Sequence, residues 1–326
     1  MVEVPDKLPM AAVPENRKKL EEWILKYYNP GVFNTCKRQP MPSTAGPPMK
    51  IFVDPAATPV RCTKPVPVPL HFRDQVKKDL LSDEKRGVIE RVPLGVKPTW
   101  MAKMLIQPKK DGMPRRVVDM SALTKVARRE LHHTRSPFKA ACSVPGGVLK
   151  TTLDCVDGYH GVEIAEEDRD KMSFITEWGA FRYARVPQGF GPSGDGYTRR
   201  TDDILSTTPE KPGMVDMEKI VDDILIWSNT MEEAFFRICN ILSHAGEYGM
   251  VFCPKKFCFA KEEVEFAGLV VGKDGIRPTD QYKQAILDQG GIKFEISWEP
   301  NFPVDNFARN SGKNCIIFKT IINLKL

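Results

Sequence analysis

The tetrapeptide Asp-Asp-Ile-Leu occurs twice, at Asp202–Leu205 and at Asp222–Leu225. Adjacent carboxylates repel each other, and a divalent cation is the natural compensation, so either pair is a candidate for metal-assisted chemistry. The two sites differ in local period. Around the first, Tyr197, Thr201, Ile204 and Leu205 recur at helical spacing and Arg199 precedes both aspartates by about one turn. Ion pairs on a helix surface account for those charges without chemistry. Around the second, Ile220-Val221 and Ile224-Leu225-Ile226-Trp227 are short apolar runs of β type. Two aspartates between such runs fit a hairpin turn that projects both carboxylates from one end of a sheet, whereas in a regular strand they point to opposite faces. Asp-rich turns are common, and the pair gains meaning only with a third carboxylate. Asp154 supplies one: it closes the run Thr152-Leu153-Asp154 shortly before Gly158-Tyr159-His160.

The elements that must position these groups are bounded by composition. A chain of 326 residues with 41% hydrophobic content forms one large or two modest domains with a real core. No stretch approaches the roughly 20 consecutive apolar residues of a membrane helix, and MVEVPDKLPM lacks a basic-then-apolar leader, so the expected location is inside the cell. The eight cysteines are scattered and are expected as free thiols. Charge is uneven: Lys97 to Lys139 holds eleven Lys or Arg against three acidic residues, a local +8 in a chain of net +6. Such a block suits a polyanion such as nucleic acid or nucleotide phosphates, with a solvated charged face as the plainer reading. Thirteen of the 27 prolines precede residue 70, which indicates an extended arm rather than a domain core. Within it Leu20, Trp23, Ile24 and Tyr27 fall at helical spacing, and a second amphipathic helix with Val76, Leu80 and Leu81 on one face ends at Gly87. From about Met101 onward, short β-type runs mix with helices as in an α+β fold.

Several ordered segments together resemble the reverse transcriptase of retrovirus-like Pol polyproteins, particularly those of gypsy-type LTR retrotransposons. They are KKDGMPRRVVDMSALTK (Lys109 to Lys125), LDCVDGYH (Leu153 to His160), VPQGF (Val186 to Phe190), IVDDIL (Ile220 to Leu225), GMVFCPKKFCFAK and EFAGLVV (Glu265 to Val271) followed by GIRP. The resemblance runs from about residue 60 to 288. It implies a right-hand polymerase of α+β class, with an antiparallel palm sheet backed by helices. Residues 1–60 are then a proline-rich arm with one helix, and 61–288 the fingers (about 61–140 and 162–187) and palm (about 141–161 and 188–272). Residues 289–326 form an atypical tail where the family continues into a thumb, so a truncated Pol with a thumb cut short is expected.

The same resemblance implies roles. Asp154, Asp222 and Asp223 match the catalytic carboxylates, expected to hold two Mg²⁺ ions, with Mn²⁺ as a substitute, for in-line phosphoryl transfer. Asp154 and Asp222 are the more direct ligands. Lys109 and Arg115 match the residues that clamp the deoxynucleoside triphosphate, and Tyr159 the ring that excludes a 2′-hydroxyl. Gln188 and Gly189 match the turn touching nucleotide and template, and Phe266, Gly268 and Leu269 the primer grip. Lys255 and Lys256 sit where a lysine can protonate pyrophosphate, and His160 is read as structural. The implied partners are an RNA or DNA template with its primer, and no membrane. The implied setting is a cytoplasmic virus-like particle, with nuclear steps left open. Three departures stand out: Ile220 replaces the usual aromatic before the aspartates, Ser121 replaces an Arg after Asp119, and Gly191 to Asp195 replaces an apolar turn. A non-catalytic nucleic-acid-binding remnant and a degenerate fragment remain open as alternatives.

Overall fold

The computed structural model describes residues 2–29, 31–35, 42–108, 112–130, 132 and 134–288. Helix α1 (Arg17–Tyr27) grows from a proline-initiated turn at Pro14–Asn16. Leu20 and Ile24 are fully buried one turn apart, and Tyr28 just past the helix completes the stripe, its hydroxyl donating to the Cys239 carbonyl at 2.9 Å. The segment expected as an arm outside any core thus contributes Leu20, Ile24, Tyr28, Val32 and Phe33 to the main apolar cluster. Its prolines lie outside the helix and leave the apolar face intact. Tyr27, placed on that face by its spacing, is instead exposed, because Tyr28 takes the inward position.

Helix α2 (Arg73–Lys85) buries Val76 and Leu80 and stops short of Gly87, whose φ of +71° is the left-handed backbone common after helices. Leu81 is exposed, since five residues past Val76 it rotates off the stripe. Strands β1 (Ile89–Arg91), β2 (Ala102–Pro108) and β3 (Pro114–Val118) follow, then short helices α3 (Ser121–Thr124) and α4 (Pro137–Cys142). After β4 (Leu149–Asp154) come β5 (Ser173–Thr176) and β6 (Gly179–Tyr183). A mixed sheet in the order β1-β6-β5-β2-β3, parallel only between β2 and β5, is built from the segments expected as fingers.

The part expected as palm continues with α5 (Gly191–Ser206), β7 (Met217–Ile220), β8 (Asp223–Ser228), α6 (Met231–Glu247) and β9 (Cys258–Lys261). Its antiparallel sheet runs β7-β8-β4-β9. Strand β8 shows why both faces are covered: Ile224 and Ile226 enter the cluster built on α6, while Leu225 and Trp227 enter one built on α4 and the strands that follow. Those strands are β10 (Val264–Phe266), β11 (Leu269–Gly272) and β12 (Gly275–Pro278), an antiparallel sheet in that order, with α7 (Asp280–Asp288) after them. Thr230 caps α6 by accepting from the Glu233 amide, and Glu233 reaches back to the Asn229 amide at 2.9 Å, a variant of the capping box worth about 1 kcal/mol. Among the described residues the cysteines are free, and no helix is long and apolar enough to cross a membrane.

Candidate active site

The hairpin between β7 and β8 has a two-residue turn, Val221-Asp222, closed by the pair Ile220 and Asp223. Across the sheet Asp223 lies directly opposite Asp154, the last residue of β4. The chain leaving β4 is tied to the turn, since the Cys155 amide donates to the Asp222 carbonyl at 3.0 Å, while the Asp154 carbonyl accepts from the Cys253 amide at 2.8 Å. All three aspartates therefore gather at one end of the palm sheet. Val221 has a φ of +56°, an outlier for a β-branched residue that costs about 1–3 kcal/mol. Its side chain packs against the apolar cluster of the fingers side, which helps to hold the turn in that state.

Electrostatics mark the same spot. Burial pushes the Asp223 carboxyl up to about 6, helped by a hydrogen bond with Asp154 and by the charge there. Burial also raises Asp222, as does Asp154, while the Tyr197 hydroxyl, Lys219 and Lys256 pull it down. Tyr197 exerts this pull without a regular hydrogen bond: its hydroxyl and the Asp222 Oδ1 are both buried and unpartnered. Lys256 lies across Asp154, its Nζ 2.5 Å from Oδ2. Among the described residues no three His, Cys, Asp or Glu side chains form a ready-made metal cage. Magnesium rarely needs one, because it is commonly held by one or two carboxylates plus substrate phosphates and water. An all-oxygen donor set with a buried, unpaired carboxylate oxygen fits such an ion.

Tyr159 is half-buried and stacks on the fully buried Tyr197, ring centroids 4.8 Å apart. A Cβ on Gly158 would stand 2.3 Å from the Tyr197 hydroxyl oxygen, so glycine is required there for α5 to approach. Gln188 and Gly189 are exposed on a turn, with Gly189 at φ +89°. Arg115 is exposed on β3, opposite Gln107, and makes no ion pair with a described residue. Lys109 lies outside the described residues. Of the residues expected as primer grip, Phe266 and Leu269 are buried, and the left-handed turn Ala267-Gly268 between them is half-buried, so their side chains do not form an open surface. Burial drives His160 down to about 4; the Asp157 charge opposes this, and the nearby Arg86, Arg116 and Arg185 add to it.

The first Asp pair departs from its sequence reading. Arg199 pairs with Glu130, and Asp202 instead bonds Lys219 of β7 at 2.9 Å and His132 at 2.7 Å. A helical wheel shows only neighbours on the same helix, and here partners from elsewhere win. Tyr197, Lys219 and the Lys256 contact were not assigned from sequence. Tyr197 carried a weak signal as the aromatic of the α5 stripe, and Lys219 another as a cation beside the apolar run Ile220-Val221.

The pattern of the family described as reverse transcriptase (RNA-dependent DNA polymerase) matches residues 107–271. The chain belongs to the reverse transcriptase family. It is 33% identical over 138 residues to a retrovirus-related Pol polyprotein from transposon gypsy of Drosophila melanogaster, covering 42% of this chain and 13% of that protein. It is 25% identical over 227 residues to the Pol polyprotein from transposon opus of the same organism, 69% of this chain and 22% of the relative. With the Pro-Pol polyprotein of simian foamy virus type 1 it shares 30% identity over 203 residues, 62% of this chain and 17% of that one. The chain thus spans less than a quarter of these relatives. Among solved structures, the foamy viral protease-reverse transcriptase in complex with RNA/DNA hybrid superposes with a TM-score of 0.70 at 20% identity, over 90% of this chain and 39% of that one. The same viral protein in complex with dsDNA gives 0.69 at 21% identity, over 99% and 67%. The architecture is that of a polymerase fingers and palm.

Proposed function

We propose that this chain carries the catalytic palm and fingers of a retrotransposon RNA-directed DNA polymerase, which adds deoxynucleotides to the 3′ end of a primer paired to an RNA or DNA template. The observation that carries this reading is the placement of Asp154 opposite Asp223 with Asp222 in the adjoining turn, its Oδ1 buried and unpaired. Asp154 and Asp222 would hold magnesium, with Asp223 in support, and the metal would supply positive charge for activating the primer 3′-hydroxyl and for stabilising the departing pyrophosphate. Lys256, paired with Asp154 in the absence of metal, would be released when that carboxylate takes a cation and could then give a proton to the pyrophosphate. Arg115, with Lys109, grips the triphosphate, a task that suits a planar fork and a compact cation. The exposed Gln188-Gly189 turn meets the nascent base pair, and the Ala267-Gly268 turn meets the primer.

The basic block supports a nucleic-acid partner. Arg116, Arg129 and Arg135 are committed to Asp83, Asp195 and Glu218, while Lys97, Lys103, Arg115, Lys125, Arg128 and Lys139 make no ion pair with a described residue. On poly(rA)·oligo(dT), thymidylate should be added only when Mg²⁺ or Mn²⁺ is present. In parallel, the logarithm of duplex affinity should fall with the logarithm of salt by several units of slope, about 0.9 for each phosphate neutralised. Salt-sensitive binding without metal-dependent extension would instead identify a non-catalytic binding remnant.

A further inference from the structure

Lys219 is charged, lies in the edge strand of the palm, and its side chain is 0% exposed. A buried ammonium must find partners for three N–H groups. Here it does: Asp202 Oδ1 at 2.9 Å, the Val221 carbonyl at 3.2 Å, and the face of the Tyr197 ring 5.8 Å from its centroid. Asp202 is braced in turn by His132 Nε2 at 2.7 Å. The preceding residue, Glu218, is anchored to Arg135 at 2.5 Å and to Ser143 at 2.9 Å. Strand β7 therefore runs into the turn with ionic anchors at two successive residues, just where the backbone enters the left-handed state at Val221.

We propose that Lys219, held by Asp202, is a positioning residue: its bond to the Val221 carbonyl fixes the strained turn that presents the Asp222 carboxylate. The first Asp pair then has a role after all, through Asp202 and not Asp203. Asp203 is exposed and faces away from this network, with Arg200 as its charged neighbour. The inference rests on Asp222 being a metal ligand, and its test separates the two claims.

Mn²⁺ affinity is measured by electron paramagnetic resonance, and hydrogen exchange by mass spectrometry on the peptide spanning β7 and β8, for the full chain and the variants Lys219→Met, Asp202→Asn, Asp203→Asn and Asp222→Asn. Lys219→Met should bind Mn²⁺ about tenfold more weakly, roughly the value of one buried charge-assisted hydrogen bond. It should also speed exchange at the turn while leaving primer–template affinity within about twofold. Asp202→Asn should shift both readouts in the same direction, and Asp203→Asn neither. If Lys219→Met fails to fold, Asp202→Asn decides alone. Unchanged exchange at the turn in the folded variants would overturn the proposal, as would unchanged Mn²⁺ binding in them when Asp222→Asn has lost it. Mn²⁺ binding that survives Asp222→Asn would instead overturn the metal-site reading, and the exchange data would then judge the Lys219 clamp by themselves.

Discussion

Asp222→Asn should lower metal-dependent nucleotide incorporation by about 10³-fold or more, because it removes the charge from a carboxylate whose Oδ1 is buried and without a hydrogen-bond partner among the described residues. The same substitution should not unfold the protein. Burial and the Asp154 charge hold the Asp222 carboxyl above its ordinary value. A carboxyl raised in the folded state binds its proton more tightly there than in the unfolded chain. Its favourable contribution is therefore complete below the unfolded value of about 3.9 and is lost as pH rises through the folded one. At pH 7 the ionised group burdens the metal-free fold, and asparagine relieves that burden while keeping the shape. The melting temperature of the metal-free variant at pH 7 should thus be no lower than that of the parent, and any advantage should shrink below about pH 4. A drop of several degrees, or retained incorporation, would make Asp222 a structural residue.

Tyr159→Ala should reduce the preference for deoxynucleotides over ribonucleotides by about 10- to 100-fold, measured as the ratio of kcat/KM values. The ring can act as a steric gate because it is rigid. It stacks on Tyr197, which is itself seated against Gly158 with no room for a Cβ, so it cannot swing aside for a 2′-hydroxyl. Tyr159→Phe keeps the ring and should keep the preference. An unchanged ratio in the alanine variant would show that Tyr159 serves only to pack against Tyr197.

These two residues also show what was legible in the sequence. The contrast between the Asp pairs could be read because helix and hairpin leave different periods in the flanking apolar residues, and the third aspartate could be read because it closes a strand. Both are local signals. What could not be read is which distant charge each side chain would choose. Asp202 takes Lys219 and His132 rather than Arg199, and Asp154 takes Lys256, 102 residues away in the chain. Such choices follow from how sheets and helices stack, which spacing alone does not encode. The same limit explains α1, whose inward aromatic is Tyr28 and not Tyr27, because the docking partner on α6 decides the final turn.

Everything proposed for the palm sheet depends on its end being a metal site built on Asp154 and Asp222. The most direct measurement is anomalous diffraction from Mn²⁺ in crystals of the chain with a primer–template and a non-hydrolysable deoxynucleotide. Anomalous peaks should appear in contact with the carboxylates of both Asp154 and Asp222 and with the triphosphate, with the Lys256 ammonium withdrawn from Asp154. A bound nucleotide with no anomalous peak there, and Lys256 still paired to Asp154, would contradict that metal site.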